Sequence, residues 1–364
     1  MRATRRTNRS SLPERHDLTP NDQPVSRADD PGRQSLTVRI LGSALIATII
    51  YVAVHTVVFC VAAVSYQKGV VLDLPWLLTI QRELYMNGGW NIFQTRSDCV
   101  AFDEKLLYKP RIGSCQFDNI EFRTTVHFTP DGRLMSDVAS SGKAIAVIGD
   151  SYAMGWGVND AETFSSELQR RTGRKVYNLA VSSYGTVRET MRLSEFDHLD
   201  DVDTVIIQYC SNDIDENVRF KLRSPAEARR KFAGITEPRR TDRWFVVKYY
   251  WRCYRATLWR PFVTLWRRMR DQEGPEDFGP HYAALMNVLR NAPGLQGKRI
   301  IIFYARDYGL LFKNFPTGKD AEMANVTFVD IHLDRTDLYV LDPHWNPQGH
   351  TVVARQLAEA LAVP

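Results

Sequence analysis

Gly149-Asp150-Ser151 follows directly on the apolar run AIAVI. Nearly two hundred residues later, Asp342 and His344 stand two apart in the stretch DPHWNPQGH. A serine hydroxyl is a poor nucleophile until an imidazole accepts its proton, and a carboxylate must fix the tautomer of that imidazole. Ser151, His344 and Asp342 have the residue types for nucleophile, base and orienting acid. Two further stretches, NLAVSSYGT at 178–186 and CSND at 210–213, could offer hydrogen-bond donors to a developing oxyanion. The candidate donors are the Asn212 amide and the backbone N–H groups of Ser183 and Ser151. The plain alternatives are a solvated turn serine and a surface-loop histidine, and His350 reads as a structural residue at a helix start. NDIDEN at 212–217 clusters oxygen ligands as a calcium loop would, but lacks the Gly and terminal Glu spacing of such a site.

These residues need elements that bring them to one place. From Lys143 onward, apolar runs alternate with amphipathic stretches. AIAVIGD (144–150), KVYNLAV (175–181), DTVIIQYC (203–210), RIIIFYA (299–305) and NVTFVDI (325–331) read as buried strands. Helices are expected over 162–172 and 349–362. The pattern predicts a parallel α/β sheet covered on both faces, with Ser151 at the carboxyl edge where such sheets place their sites. Residues 68–142 read as a linker followed by a small β-rich segment, IEFRTTVHF at 120–128 ending in the turn TPDG.

The N-terminal part has a different character. Residues 1–39 hold eight arginines, five acids and few large apolar side chains, so a disordered basic tail is expected. Ile40 to Gln67, 28 residues, carries no Lys, Arg, Asp or Glu, which suits a transmembrane helix better than a cleaved signal peptide. The arginine-rich flank puts the tail in the cytoplasm and residues 68–364 on the periplasmic or extracellular side. In that oxidising setting Cys99 and Cys115 can close a local disulfide, two unpaired buried thiols being the alternative. Five cysteines without CxxC or Cys/His spacing exclude a disulfide-built scaffold and argue against structural zinc.

Residues 219–270 interrupt the α/β rhythm. They hold sixteen Lys/Arg against three Asp/Glu, so this stretch is +13 while the rest of the chain is −8. Trp244, Trp251, Trp259 and Trp266 fall on one side of a helical wheel together with Lys248 and Arg255, and Pro261 is expected to kink or break the helix. Either the tryptophans fill a core, or residues 240–270 lie on a membrane surface.

Ser at one strand end, an oxyanion loop at the next, then Asn, then Asp-x-His resembles the SGNH (GDSL) hydrolase superfamily over roughly residues 143–362. The resemblance implies a flavodoxin-like α/β/α sandwich and ester hydrolysis or acyl transfer without metal or other cofactor. It assigns Ser151 as nucleophile, Asn212 as amide donor, Asp342 as acid and His344 as base. The family's oxyanion glycine falls on Ser183 rather than Gly185, leaving only a backbone donor there, and its Gly two before the Asn is here Cys210. The near match to G-x-S-x-G lacks its last Gly, and the α/β-hydrolases keep acid and histidine on separate loops.

The expected function is a membrane-anchored serine esterase acting on acyl esters of an envelope glycan or related substrate. An O-acyltransferase fed by a membrane acyl-donor partner is one alternative. A catalytically silent glycan-binding or scaffold domain is another. No nucleic-acid partner is expected.

Overall fold

The computed structural model describes residues 31–88, 92–137, 142–220, 224–237, 243–270, 276–305 and 312–362. The expected disordered tail lies outside the described residues as far as residue 30, and so do residues 221–223 and 238–242 of the Arg/Trp stretch. The chain divides into two compact units, residues up to Val54 and His55–Pro364. Helix α1 (Pro31–Gln67) begins in the first and ends in the second. It starts nine residues ahead of the uncharged run, so residues 31–39 are helical rather than part of a tail; proline is at home in a first helical turn. Its segment Leu36–Gln67, whose most apolar 18-residue window has a mean hydropathy of 2.4, is long and apolar enough to cross a membrane.

After α1 come α2 (Pro75–Asn87) and a hairpin of β1 (Val100–Asp103) and β2 (Leu107–Pro110). Three antiparallel strands follow, β3 (Gly113–Asp118), β4 (Arg123–Thr129) and β5 (Gly132–Arg133). The α/β part runs β6 (Ala144–Ile148), α3 (Ser151–Met154), α4 (Phe164–Thr172), β7 (Val176–Asn178), α5 (Thr186–Ser194), β8 (Val202–Gln208) and α6 (Asp213–Arg219). It continues through α7 (Pro225–Thr236), α8 (Arg243–Met269), α9 (Phe278–Arg290), β9 (Arg299–Ala305), β10 (Gly318–Lys319), β11 (Val326–Ile331) and α10 (Pro347–Ala362).

One nine-stranded sheet has the order β10-β11-β9-β8-β6-β7-β5-β4-β3. Its five inner strands, β11-β9-β8-β6-β7, are parallel. Period-2 alternation of apolar residues lets both faces bury. Ile145 and Val147 of β6 enter one cluster with Phe164 and Leu168 of α4 and Val353 and Leu357 of α10. Ala144, Ala146 and Ile148 enter the other with Phe278, Leu285 and Leu289 of α9. Helices therefore cover the sheet on both sides, an α/β/α sandwich.

The β-rich segment is not a separate body. β3, β4 and β5 extend the same sheet, through the single register pair Arg133↔Asn178 between β5 and β7. The disulfide Cys99–Cys115, with Cα atoms 5.6 Å apart, joins the start of the β1–β2 hairpin to β3. Helix α8 runs unbroken through Pro261. A proline removes one backbone donor, and here the rest of the ladder carries the helix on. Its four tryptophans are between 46% and 74% exposed, so they fill no core; Cys253 and Thr257 are its buried positions.

Candidate active site

Parallel strands β6, β7 and β8 end at one edge, so the loops after them meet there. Gly149, the first residue of the turn after β6, has φ +153°, and a Cβ there would come within 2.6 Å of Ala153 Cβ and 3.0 Å of Gln208. Asp150 caps the turn, its Oδ1 accepting the Tyr152 N–H at 2.9 Å. Burial pushes the Asp150 carboxyl up to about 6, against the pull of that N–H and of His344. Ser151 follows as the first residue of α3.

The Ser151 Oγ lies 2.7 Å from His344 Nε2. His344 Nδ1 is 2.5 Å from Asp342 Oδ1, which also accepts the His344 backbone N–H at 2.9 Å. The three side chains thus form one continuous hydrogen-bonded chain. Burial alone would raise the Asp342 carboxyl, but His344 and a tyrosine hydroxyl outweigh it and hold the group below the ordinary carboxylate range. The Tyr152 ring packs on the imidazole with centroids 4.4 Å apart.

That tyrosine hydroxyl belongs to Tyr85 of α2, which donates to Asp342 Oδ2 at 2.5 Å; Trp156 Nε1 donates to the same oxygen at 3.1 Å. Neither residue stands out in the sequence. Glu121 is a third such residue, since its carboxylate accepts backbone N–H groups from the stretch just before the histidine. Local spacing offers no signal for these contacts, because the partners lie 186 to 257 positions apart.

At the neighbouring strand end, Ser183 takes the left-handed conformation (φ +62°) that glycine adopts more readily. Arg188 donates to its carbonyl at 2.5 Å and pairs with Glu216 at 2.6 Å, which fixes that peptide from α5 and α6. Gly185 is where Glu216 comes close, 2.8 Å from where a Cβ would stand. Gln94, also unforeseen, bridges Ser182 and Ser183 by side-chain hydrogen bonds of 3.0 and 2.8 Å. Asn212 sits at the start of α6 with its side chain exposed and capping nothing.

The acids of 212–217 diverge rather than converge on an ion. Asp213 turns inward and accepts the Cys210 N–H at 2.9 Å, Glu216 pairs with Arg188, and Asp215 faces Arg219. No group of three potential ligands for a metal occurs among the described residues. His350 is buried, and its Nδ1 accepts the Phe164 N–H at 3.1 Å. Burial lowers its pKa to about 3, so it stays neutral.

No family model matches the chain, and no curated protein matches it. Similar solved structures include a carbohydrate esterase family 2 enzyme with a carbohydrate-binding domain from Myceliophthora fergusii. That match has 15% identity and a TM-score of 0.33, over 64% of this chain and 69% of the other. A G-D-S-L family protein described as lipolytic, from Desulfitobacterium hafniense, is 11% identical with a TM-score of 0.31, over 60% of this chain and 99% of that one. An acetyl xylan esterase from Butyrivibrio proteoclasticus is 12% identical with a TM-score of 0.32, over 62% and 65% of the two chains. At these identities and scores the likeness says nothing about substrate.

Proposed function

We propose that this chain is a membrane-anchored serine esterase of SGNH type acting on acyl esters of an envelope glycan or related substrate. The observation that carries the reading is the unbroken chain Ser151 Oγ–His344 Nε2, His344 Nδ1–Asp342 Oδ1 at 2.7 and 2.5 Å. Ser151 Oγ attacks the acyl carbonyl while His344 Nε2 takes its proton, and Asp342 holds the ring and stabilises the imidazolium. The oxyanion forms beside the backbone N–H groups of Ser151 and Ser183 and the Asn212 amide. His344 then returns the proton to the departing sugar oxygen, leaving an acyl group on Ser151. Water or a second hydroxyl, deprotonated by His344, attacks that acyl-enzyme and restores the serine. Hydrolysis and acyl transfer to a sugar share every step but this last.

Two features support a membrane location. The segment Leu36–Gln67 is apolar enough to span, and α8 exposes tryptophans among arginines, a mixture suited to headgroup depth. On this reading the arginine-rich N-terminus is cytoplasmic and the Ser151 site lies on the periplasmic or extracellular side.

The test is reaction with a serine-directed phosphonate and with a panel of acyl esters, with and without glycan acceptors, followed by mass spectrometry. Ser151 is expected to carry the label and the acyl group, and Ser151→Ala to lose several powers of ten in turnover. An unlabelled Ser151, or more than a tenth of wild-type activity in Ser151→Ala, would reject the assignment.

A further inference from the structure

Two adjacent residues of α2 face different parts of the molecule. Leu84 is buried with Leu77 and Ile80 against Phe59, Ala62 and Ala63 of α1 and Cys253 of α8. Its carbonyl accepts the Tyr249 hydroxyl at 2.5 Å. Tyr85, about 100° further round the helix, packs with Leu78 and Leu341 instead. Its hydroxyl donates to Asp342 Oδ2 at 2.5 Å and accepts from the Asn119 amide at 2.5 Å.

A buried carboxylate can rotate about its Cβ–Cγ bond unless both oxygens are held. Oδ1 of Asp342 takes the two N–H groups of His344, and Oδ2 takes Tyr85 and Trp156. Donors on both oxygens leave one orientation, the one that faces Oδ1 to the imidazole. Tyr85 is fit for this because it keeps its proton. Burial, and then the charge of Asp342, push the phenol far above its ordinary range.

We infer that Tyr85 is a positioning residue of the triad, holding Asp342 from a helix that is itself packed on α8 and on residues 55–67 of α1. The inference rests on the catalytic reading of Ser151, His344 and Asp342. The groups facing Asp342 are Tyr85 from α2, Trp156 from the turn after α3, His344 from its own loop and Glu121 behind the backbone. Arg82, Arg260 and Arg335 line, with Asp342, a cavity of about 290 Å³ on the α2–α8 side.

The experiment is Tyr85→Phe in the full chain, which keeps the ring and removes the donor. With one donor gone, the Asp342 carboxylate can turn about its Cβ–Cγ bond, so Oδ1 meets the imidazole less of the time and stabilises the imidazolium less. The expected result is a kcat lower by on the order of tenfold with KM unchanged, because Tyr85 is buried away from substrate. The acid limb of the kcat/KM profile is expected to move down by roughly half a pH unit, because the protonated base loses part of its carboxylate partner. Asn119→Ala, which loosens the same hydroxyl, should act in the same direction and less. The double variant should be no worse than Tyr85→Phe alone, as expected for one linked chain. Wild-type kcat and an unmoved acid limb in Tyr85→Phe overturn the inference. If that variant does not fold, wild-type behaviour of Asn119→Ala overturns it. Activity persisting in Ser151→Ala would instead overturn the underlying catalytic reading, whatever Tyr85→Phe does.

Discussion

Glu121 accepts the backbone N–H of Asp342 at 2.8 Å, and the same carboxylate takes those of Leu341 and Val340 at 2.8 and 2.6 Å. One side chain from the β3–β4 turn thus holds the main chain that carries the acid. Burial raises the Glu121 carboxyl, and the three N–H groups oppose that rise.

Removing this clamp leaves three N–H groups, two of them partly buried, without their acceptor. Glu121→Ala is expected to lower stability by about 1–3 kcal/mol and to reduce kcat by at least tenfold. Thermal melts and steady-state kinetics check it. A variant with wild-type kcat would show that the loop holds its geometry unaided.

Asn212 is predicted to act only on the charged intermediate. Because its side chain is exposed and caps nothing, Asn212→Ala should leave the melting temperature unchanged. It should lower kcat by about 10²–10³ with little change in KM. A KM effect without a kcat effect would place the amide on substrate binding instead.

On the proposed mechanism Ser183 supplies a backbone donor, and it does so in a conformation that costs a non-glycine residue about 1 kcal/mol. Ser183→Gly is therefore expected to retain activity within a few-fold and to melt no lower than wild type, the exposed contact with Gln94 being of small value. A hundredfold loss of activity would assign the work to the hydroxyl rather than the N–H.

Stability should fall as pH rises, because three buried carboxyls lie under the site. Burial raises Asp150 to about 6, and burial followed by neighbouring carboxylates holds Glu189 and Asp213 well above the ordinary range. Both Glu189 oxygens lack a hydrogen-bond partner among the described residues. A folded-state pKa raised above the unfolded value means that the folded chain keeps protons the unfolded chain releases. The associated stability is present below about pH 4 and is lost as pH climbs through the folded pKa. For Asp150 that is on the order of 3 kcal/mol between pH 4 and 6. Melts from pH 4 to 8 should show the decline, and Glu189→Gln should flatten it. Identical pH slopes in both proteins would sink the idea.

The sequence shows what is continuous along the chain. AIAVI followed by GDS, and DPH ahead of the last helix, are enough to place Ser151 at the strand-to-helix junction and Asp342 and His344 in the loop before the last helix. The inner strands read as apolar runs because both faces bury. Contacts made across the fold leave no such trace. Tyr85 lies in a stretch that reads as a linker, and its hydroxyl meets Asp342 only once α2 has docked. A two-residue strand such as β5 has no period to detect. The effect of Pro261 depends on packing and not on local preference alone. The tryptophans of α8 read equally as core or surface until their exposure is known.

The single pair Arg133↔Asn178 bears on where the chain can be cut. The Arg133 guanidinium is fully buried and donates to the carbonyls of Met154, Gly155 and Val158, the turn that closes α3 behind the serine. A fragment beginning at Lys143 would keep Ser151, Asp342 and His344 yet lose this cation and expose β7 as an unprotected sheet edge. Open edges recruit strands from other molecules. Such a fragment should form aggregates on expression, whereas one that retains β3 to β5 should remain dispersed.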